Sequence, residues 1–216
     1  MGLPFVETAG CDSLRRPITL PPHRQRGHEL VYLLRGRTTW MLPEAVMELS
    51  GGQCSLVQPG VEHRGEMEII EPCTLIWLVF NLSRVDESFI NNAERRTIEG
   101  ILNKAGNIVF PATPSLKSAL AVMYDALLSY GEGDGLSMLL FRSAVLSVLC
   151  RTAEALRARA KTLLRTERRI TDVALELGFS SSQHFSSTFA RMTGMAPTEY
   201  RLSAAVRTGD AREGRG

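Results

Sequence analysis

The stretch ITDVALELGFSSSQHFSSTFARMTGMAPTEYR, Ile170 to Arg201, decides the fold of the C-terminal part of the chain. Thr171 is a candidate N-cap, and Asp172 is favourable at the positive end of a helix dipole. We therefore predict a helix from Asp172 to Leu177. Gly178 supplies the left-handed conformation that commonly ends a helix. The pattern predicts a helix, a tight glycine turn and a second helix.

The second predicted helix has one apolar face and one polar face. Ser180 or Ser181 can cap it, and Phe185, Phe189 and Met192 recur at i, i+4 and i+7, which predicts a buried stripe. Polar side chains outside that stripe can contact bases and phosphates when such a helix lies in the major groove. We predict DNA contacts by Ser182, Gln183, Ser186, Ser187, Arg191 and Arg201.

The individual DNA contacts have different expected roles. Gln183 can pair bidentately with adenine, and Ser182 and Ser186 would face bases. Arg191 and Arg201 would contact phosphate or stabilise the fold. A solvated helix surface is the alternative interpretation for every one of them.

Three motifs in this stretch occur in the order of a known signature. They are I-x-x-V-A-x-x-x-G-F at 170–179, F-x-x-x-F at 185–189 and G-x-x-P-x-x-Y-R at 194–201. The stretch resembles the C-terminal signature of the AraC/XylS family of bacterial transcription regulators. The resemblance implies a helix-turn-helix that binds double-stranded operator DNA. It also implies that Ala160 to Leu164 belong to the helix that links two such units in the family.

The chain departs from the family pattern in two ways. Only Arg151 to Ala155 stand where the family has its first helix-turn-helix unit, so we predict a single unit. The family usually has arginine where Ser187 stands, and lysine or arginine where Ala190 stands. Both departures weaken the expected phosphate contact. A homodimer would supply the second unit.

Composition and charge are those of a globular protein with one basic part. The chain has 216 residues, of which 44% are hydrophobic and 22% are charged. Residues 151–216 hold 12 Lys and Arg against 7 Asp and Glu, a net charge of +5, whereas residues 1–150 hold 13 against 16, a net charge of −3. The basic part coincides with the predicted DNA-binding part.

Targeting signals and cysteine spacing set the expected compartment. We find no apolar run of membrane-spanning length and no signal-peptide pattern, so we expect a cytoplasmic protein without a membrane partner. The four cysteines have no C-x-x-C spacing, which predicts buried free thiols rather than a zinc site or disulfides.

Residues from about 27 to 83 have the pattern of short strands. We predict strands at Glu29–Leu34, Thr38–Leu42, Gln53–Gln58 and Thr74–Phe80, separated by glycine-containing turns. The segments H-E-L-V-Y-L-L-R-G at 28–36 and G-G-Q-C-S-L-V-Q-P-G-V-E-H at 51–63 resemble the cupin barrel that forms the sensor of many AraC-type regulators. The resemblance implies a small-molecule effector, with residues 1–26 as an arm over the mouth of the barrel.

Histidines and aromatic residues of this barrel are the candidate effector ligands. We predict effector contacts by His28, Tyr32, Trp40, His63 and Trp77, with positions in the hydrophobic core as the alternative. Catalytic cupins hold a metal with about three histidines and a glutamate. Here only His28 and His63 match that set. Leu30 stands where the second histidine is usual, and Glu29 is the candidate carboxylate. We therefore predict neither a metal nor another cofactor, and no enzyme activity.

The remaining chain is predicted to be helical. Arg84–Lys104, Ser115–Ser129 and Leu136–Thr166 have helical patterns, with a proline-rich break at Phe110–Pro114. In the last helix, Leu139, Leu146, Ala153 and Ala160 form one heptad series, and Leu149, Leu156 and Leu163 form another. These series indicate either a dimer seam or packing within the chain.

The predicted fold is α+β, with an N-terminal cupin-like β-barrel, a helical connector and a C-terminal all-α helix-turn-helix. The predicted parts are an arm at 1–26, an effector-binding barrel at 27–83, a connector and dimerisation region at 84–150, a linker helix with one helix-turn-helix at 151–203, and a disordered tail at 204–216.

Three functions fit these predictions. The first is an effector-responsive, dimeric transcription regulator. The second is a regulator remnant that binds an effector or a partner subunit without contacting DNA. The third, with the fewest supporting residues, is a metal-dependent cupin enzyme with a C-terminal appendage.

Overall fold

The chain folds into two units. The computed structural model describes residues 3–129, 135–177, 179 and 181–204. Unit 1 extends from Met1 to Ala155 and unit 2 from Leu156 to Gly216. The predictions for Gly178, Ser180 and the tail beyond residue 204 lie outside the described residues, as does the side chain of Met192.

Antiparallel strands form the first part of unit 1. In the described residues they are β1 (Val6–Ser13), β2 (Ile18–Thr19), β3 (His28–Met41), β4 (Val46–Ser50), β5 (Gln53–Val57), β6 (Arg64–Gly65), β7 (Ile69–Ile70), β8 (Cys73–Phe80) and β9 (Ile108–Pro111). The main sheet has the order β1-β8-β3-β5-β9, and β4 and β6 also pair with β3, while β2 and β7 form a separate pair. Among the described strands this order has two ends, so the sheet is not closed into the predicted barrel.

Strand β3 is the longest element of the sheet. Its first half pairs with β5 and β8, and its second half pairs with β4 and β6. The change occurs where the register with β8 shifts between Leu33 and Arg35, next to Gly36 at φ 93°. A Cβ at Gly36 would lie 2.8 Å from the carbonyl oxygen of Pro72, so glycine is required there. We predicted two strands divided at this glycine; the chain instead bends through it as one strand.

Two strands of the main sheet lie outside the predicted barrel boundaries. β1 pairs along its length with β8, so the segment predicted as an arm is part of the sheet. β9 pairs with β5 where we predicted a proline-rich break. Long-range pairing decides the case of β1, because this strand is rich in residues with low strand propensity. Gly10 of β1 also faces Trp77, and a Cβ there would lie 2.4 Å from the indole ring.

Three helices complete unit 1 or extend beyond it. They are α1 (Asn92–Ala105), α2 (Pro114–Ser129) and α3 (Gly135–Leu164). Asn91 caps α1 in a capping box with Glu94, so this helix begins well after the predicted Arg84. Thr113 caps α2 by accepting from the amide of Leu116 at 3.2 Å, so this helix begins at Pro114, one residue before the predicted Ser115.

Helix α3 contains the boundary between the units. It is long and apolar enough to cross a membrane by length and composition, and 44% of its most apolar stretch is buried inside the structure. The expectation that no apolar run reaches this length was therefore wrong; a core helix has the same properties. The heptad series does not form one exposed seam, because Leu149 and Ala153 are buried whereas Leu139 is exposed.

Unit 2 continues with three short helices. These are α4 (Ile170–Glu176), α5 (Ser182–Thr193) and α6 (197–204). Arg169, rather than the predicted Thr171, occupies the N-cap of α4 and makes no side-chain cap. Ser181, one of the two predicted caps, caps α5 by accepting from the amide of His184 at 3.2 Å, and α6 begins at Pro197, a residue suited to the first helical position.

The core of unit 2 is built from the apolar sides of these helices. Phe185 and Phe189 are buried, as predicted, with ring centroids 5.7 Å apart. Phe179 packs edge-on against the first ring and Tyr200 against the second. Val173, Ala174 and Leu177 of the α4 region lie in the same cluster. This aromatic core fixes which face of α5 remains exposed.

The four cysteines are free thiols, and the predicted burial holds for two of them. Cys54 and Cys73 are buried, whereas Cys11 is half-buried and Cys150 is exposed. Burial raises the pKa of Cys54 to about 12, so this thiol stays protonated at neutral pH.

Candidate functional site

A cavity of about 320 Å³ lies against the inner face of the main sheet in unit 1. Most of its lining is apolar, with Leu14, Leu20, Val31, Val57, Ile70, Leu75 and Val79 among the contributors. A few polar side chains, including His23, Glu29 and His63, converge on it. A mostly apolar cavity of this size with a small polar cluster is typical of a small-molecule site.

Three of the five predicted effector residues line this cavity. They are Trp40, His63 and Trp77. The indole of Trp40 is held in place because its N–H donates to the hydroxyl of Ser55 at 3.2 Å. Trp77 lies on β8, beside Gly10 of β1.

His28 and Tyr32, also predicted to contact the effector, are absent from the lining of this cavity. Residues 28, 32 and 40 have the same parity and would share a face of an uninterrupted strand. The register shift between Leu33 and Arg35 changes the phase, so Glu29 and Val31 share the inner face with Trp40. His28 faces the other side, where its ring nitrogen Nε2 lies 2.9 Å from the Asn103 side chain of α1.

His23, Glu29 and His63 form the polar cluster of the cavity. One potential ligand atom from each residue lies within 4.8 Å of the others. Nε2 of His63 lies 2.7 Å from Oε2 of Glu29, and both side chains are largely buried. This Oε2 nevertheless makes no hydrogen bond of good geometry. The rings of His23 and His63 lie 4.2 Å apart, between backbone segments that exchange two hydrogen bonds of 3.0 Å.

The electrostatic surroundings of the two sheet histidines differ. Burial lowers the pKa of His63, but the Glu29 carboxylate and the Val61 carbonyl raise it more, so the net pKa is above the usual value. Burial lowers the pKa of His28, with Asn103 opposing part of the shift. His28 therefore fits a neutral structural role, whereas His63 lies beside a carboxylate within the cavity.

The exposed face of α5 is the second candidate site. Gln183, Ser187 and Arg191 are exposed at i, i+4 and i+8, and Ser182 and Ser186 are half-buried beside them. Ser187 donates its hydroxyl to the Gln183 carbonyl at 2.9 Å. Five of the six predicted DNA contacts therefore lie on one helix.

The sixth predicted contact, Arg201, has a different role. Its Nε donates to the carbonyl of Leu164 at 3.0 Å, and a terminal nitrogen donates to that of Arg168 at 2.6 Å. These bonds occupy the carbonyls at the end of α3 and in the following turn, where helix carbonyls lack partners. Of the two roles predicted for Arg201, the contacts favour stabilisation of the fold over phosphate contact.

Sequence reasoning missed two residues of these sites. His184 is exposed next to Gln183 on α5 and packs edge-on against Phe179. Its position next to Gln183 in the predicted helix could have indicated that it lies near the same exposed surface. His23 of the cavity lies within the predicted arm, and no local pattern indicates its isolated bridge to His63.

An open cupin-like sheet with an internal cavity, joined to a helix-turn-helix, defines a DNA-binding regulator with a ligand-binding domain. The family described as "AraC-like ligand binding domain" matches residues 15–149, and the family described as "Helix-turn-helix domain" matches residues 150–203. The first match alone covers more than half of the chain. The protein belongs to the AraC family of transcription regulators.

Similar curated proteins match only the C-terminal part. The HTH-type transcriptional activators RhaR of Yersinia pseudotuberculosis and Yersinia pestis are 51% identical to this chain over 43 residues. That match spans 19% of this chain and 15% of the length of either relative.

Solved structures give weaker similarity over longer stretches. The AraC-like transcriptional activator CuxR is 12% identical, with 89% of this chain and 75% of that chain covered and a TM-score of 0.39. Fatty-acid-bound ToxT from Vibrio cholerae is 9% identical, with coverage of 90% and 94% and a TM-score of 0.37. A cupin-2 domain protein from Shewanella frigidimarina is 13% identical over 34% of this chain and 69% of its own, with a TM-score of 0.28.

Proposed function

We propose that the protein is a cytoplasmic, effector-responsive transcription regulator that binds operator DNA as a homodimer and has no membrane partner or enzyme activity. The observation that carries this proposal is the exposed polar face of α5, whose opposite face is anchored by Phe185 and Phe189. A rigidly held helix with Gln183, Ser187 and Arg191 outward can enter a major groove without rearrangement. Ser182 and Ser186 would lie at the edge of the same contact.

Exposed cations beside the helices supply the non-specific part of DNA affinity. Lys161, Arg165, Arg168 and Arg169 are exposed near the end of α3 and before α4. Arg168 also contacts Glu176, which neutralises part of this charge. Phosphate contacts by such residues fix the orientation of a protein on DNA and make its affinity depend on salt.

Fluorescence anisotropy with the DNA upstream of the protein's own gene tests this proposal. We expect specific binding at low salt that weakens steeply as salt rises. The double variant Ser187→Arg with Ala190→Lys should bind more tightly and increase the salt dependence. Thr198→Ala, a change at an exposed polar residue of α6, is the control. Absence of specific binding by wild type and double variant under all conditions would contradict the proposal.

A second copy of the chain is the proposed partner for an exposed apolar surface. Val122 and Leu128 of α2 and Leu136, Leu139 and Leu140 of α3 are exposed. Leu136, Leu139 and Leu140 are spaced at i, i+3 and i+4, so they share one side of α3, and a continuous exposed apolar surface commonly marks an interface. A homodimer would also bring two recognition helices to two half-sites, which one described helix-turn-helix per chain cannot do alone.

Sedimentation velocity tests the dimer. The wild type should sediment as a dimer and Leu139→Glu as a monomer with weaker DNA binding. Leu202→Glu introduces the same charge at an exposed leucine of α6 and serves as the control. A wild-type protein that is monomeric at all concentrations would contradict this part of the proposal.

The cavity of unit 1 is the proposed effector site. The chain has two tryptophans, Trp40 and Trp77, and both line the cavity. Intrinsic tryptophan fluorescence therefore reports on this cavity directly, so a titration with small apolar compounds should change the emission when one of them binds. Ligands that raise the melting temperature without changing tryptophan emission would place the effector elsewhere.

A regulator remnant is the second candidate function, and the face of α5 favours it specifically. Ser187 and Ala190 are uncharged, so Arg191 supplies the exposed positive charge in the second half of this helix. Such a protein would bind effector or a partner subunit without specific DNA binding. If the double variant described above also fails to bind DNA while the cavity binds a ligand, the remnant is the better account.

A further inference from the structure

We propose that His23, Glu29 and His63 form a site for a divalent transition-metal ion inside the cavity of unit 1. This set differs from the one considered in the sequence, because His23 replaces His28 as the partner of His63. The proposal rests on the cavity assigned above to the effector. It depends on neither an identified effector nor DNA binding.

The orientation of the imidazoles supports the site. Nδ1 of His23 lies 3.0 Å from the carbonyl oxygen of Pro21, and Nδ1 of His63 lies 3.2 Å from that of Val61. A carbonyl oxygen only accepts hydrogen bonds, so each Nδ1 carries the hydrogen. In the neutral rings both Nε2 atoms then have a free lone pair. A backbone carbonyl on the second ring nitrogen is the usual support for a metal-binding histidine.

The carboxylate supplies the third donor. Oε2 of Glu29 is buried, makes no hydrogen bond of good geometry, and lies 2.7 Å from Nε2 of His63. A buried carboxylate oxygen without such a bond costs free energy unless a cation or a proton compensates it. Two donor atoms at this separation are compatible with adjacent ligands of one ion.

The spacing of the three residues fits a small ion. Metal–nitrogen bonds of about 2.1 Å allow two ligand atoms of one ion to lie up to about 4.2 Å apart. The three donors all lie within 4.8 Å of one another, so they require only small side-chain adjustments. The backbone hydrogen bonds between residues 23 and 63 already hold two of the ligands together.

The donor types indicate the class of metal. Two imidazoles and one carboxylate suit Zn²⁺, Fe²⁺ or Co²⁺ and leave coordination positions open. Those positions would be available to water or to an oxygen or nitrogen donor of a small ligand in the cavity. The metal would then link the polar cluster to the effector without any catalytic step.

Titration of the full-length protein with Co²⁺ alone, after treatment with a chelator, tests the proposal. We expect about one Co²⁺ per chain, detected by its visible absorption and by quenching of Trp40 and Trp77, which line the same cavity. His23→Gln and His63→Gln should each weaken binding by about 100-fold or more. His23 is half-buried, so its variant should keep the fold even if the His63 variant does not.

His184→Ala is the matched control, because it removes an exposed histidine of α5. Circular dichroism establishes that each variant is folded. Absence of Co²⁺ binding by the wild type would overturn the proposal, as would unchanged affinity in His23→Gln. Since neither DNA nor effector is present, failure here leaves the DNA-binding proposal intact, and failure of the DNA assay leaves the metal site intact.

Discussion

The cavity of unit 1 and the exposed face of α5 are two candidate binding surfaces built in opposite ways. The cavity collects His23, Glu29 and His63 from three separate segments, with the side chains of Glu29 and His63 largely buried and His23 half-buried. The α5 face takes all its residues from one helix and leaves them accessible. The first surface depends on long-range packing around the cavity, whereas the second depends on packing behind the helix. Variants of the residues that hold each surface in place therefore test this difference most directly.

The largest effect is expected behind α5. Phe185→Ala removes a fully buried ring and should lower the free energy of unfolding of unit 2 by about 3–5 kcal/mol. Loss of helicity and of DNA binding should follow, while tryptophan emission from the cavity stays unchanged. Chemical denaturation monitored by circular dichroism and by fluorescence measures the two units separately. Leu175→Ala, at an exposed leucine of α4, should change stability by no more than about 0.5 kcal/mol.

A smaller effect is expected at the end of α3. Arg201→Met removes two charge-assisted hydrogen bonds to backbone carbonyls and should cost about 2–3 kcal/mol of stability. The salt dependence of DNA binding by the protein that remains folded should not change. A clear loss of salt dependence would instead show that Arg201 contacts phosphate together with the residues of α5.

The cavity has a corresponding support in Ser55. Ser55→Ala leaves the buried indole N–H of Trp40 without its partner, which should cost about 1–2 kcal/mol and shift tryptophan emission. Ser50→Ala, at an exposed serine of β4, is the control. Thermal denaturation and emission spectra measure both effects. Unchanged emission in the Ser55 variant would show that this hydrogen bond does not position the indole.

The smallest effect is expected on the accessible surface itself. Arg191→Ala removes one exposed cation and should reduce the salt slope of DNA binding by about one unit without changing stability. Anisotropy titrations at several salt concentrations, with Thr198→Ala as the control, measure the slope. Equal slopes for both variants would remove Arg191 from the DNA contact.

The same contrast explains what could be predicted from sequence. The buried and exposed faces of α5 follow from helical periodicity within 12 residues, and Ser181 could be identified as its cap from local chemistry. The strands around Cys54 and Trp77 were also predictable from their apolar pattern. These features depend on neighbours in the sequence.

The cavity residues were only partly predictable, for a physical reason. A single register shift in β3 places His28 and Trp40 on opposite faces although their spacing suggests one face. His23 reaches the cluster through backbone hydrogen bonds to His63, which lies forty residues further along the chain. Neither the bulge nor that bridge has a local signal, because both depend on which strands become neighbours.

Gly10 of β1 limits the size of the cavity, although it belongs to neither the polar cluster nor the α5 face. The space that a methyl group would need at this position is already occupied by the ring of Trp77, one of the cavity walls. Any larger residue at position 10 would have to displace that wall. A change at position 10 would therefore alter the room in the proposed effector site without altering any polar group in the cavity. Related chains that differ at this one position would select effectors of different size while keeping the same chemical recognition.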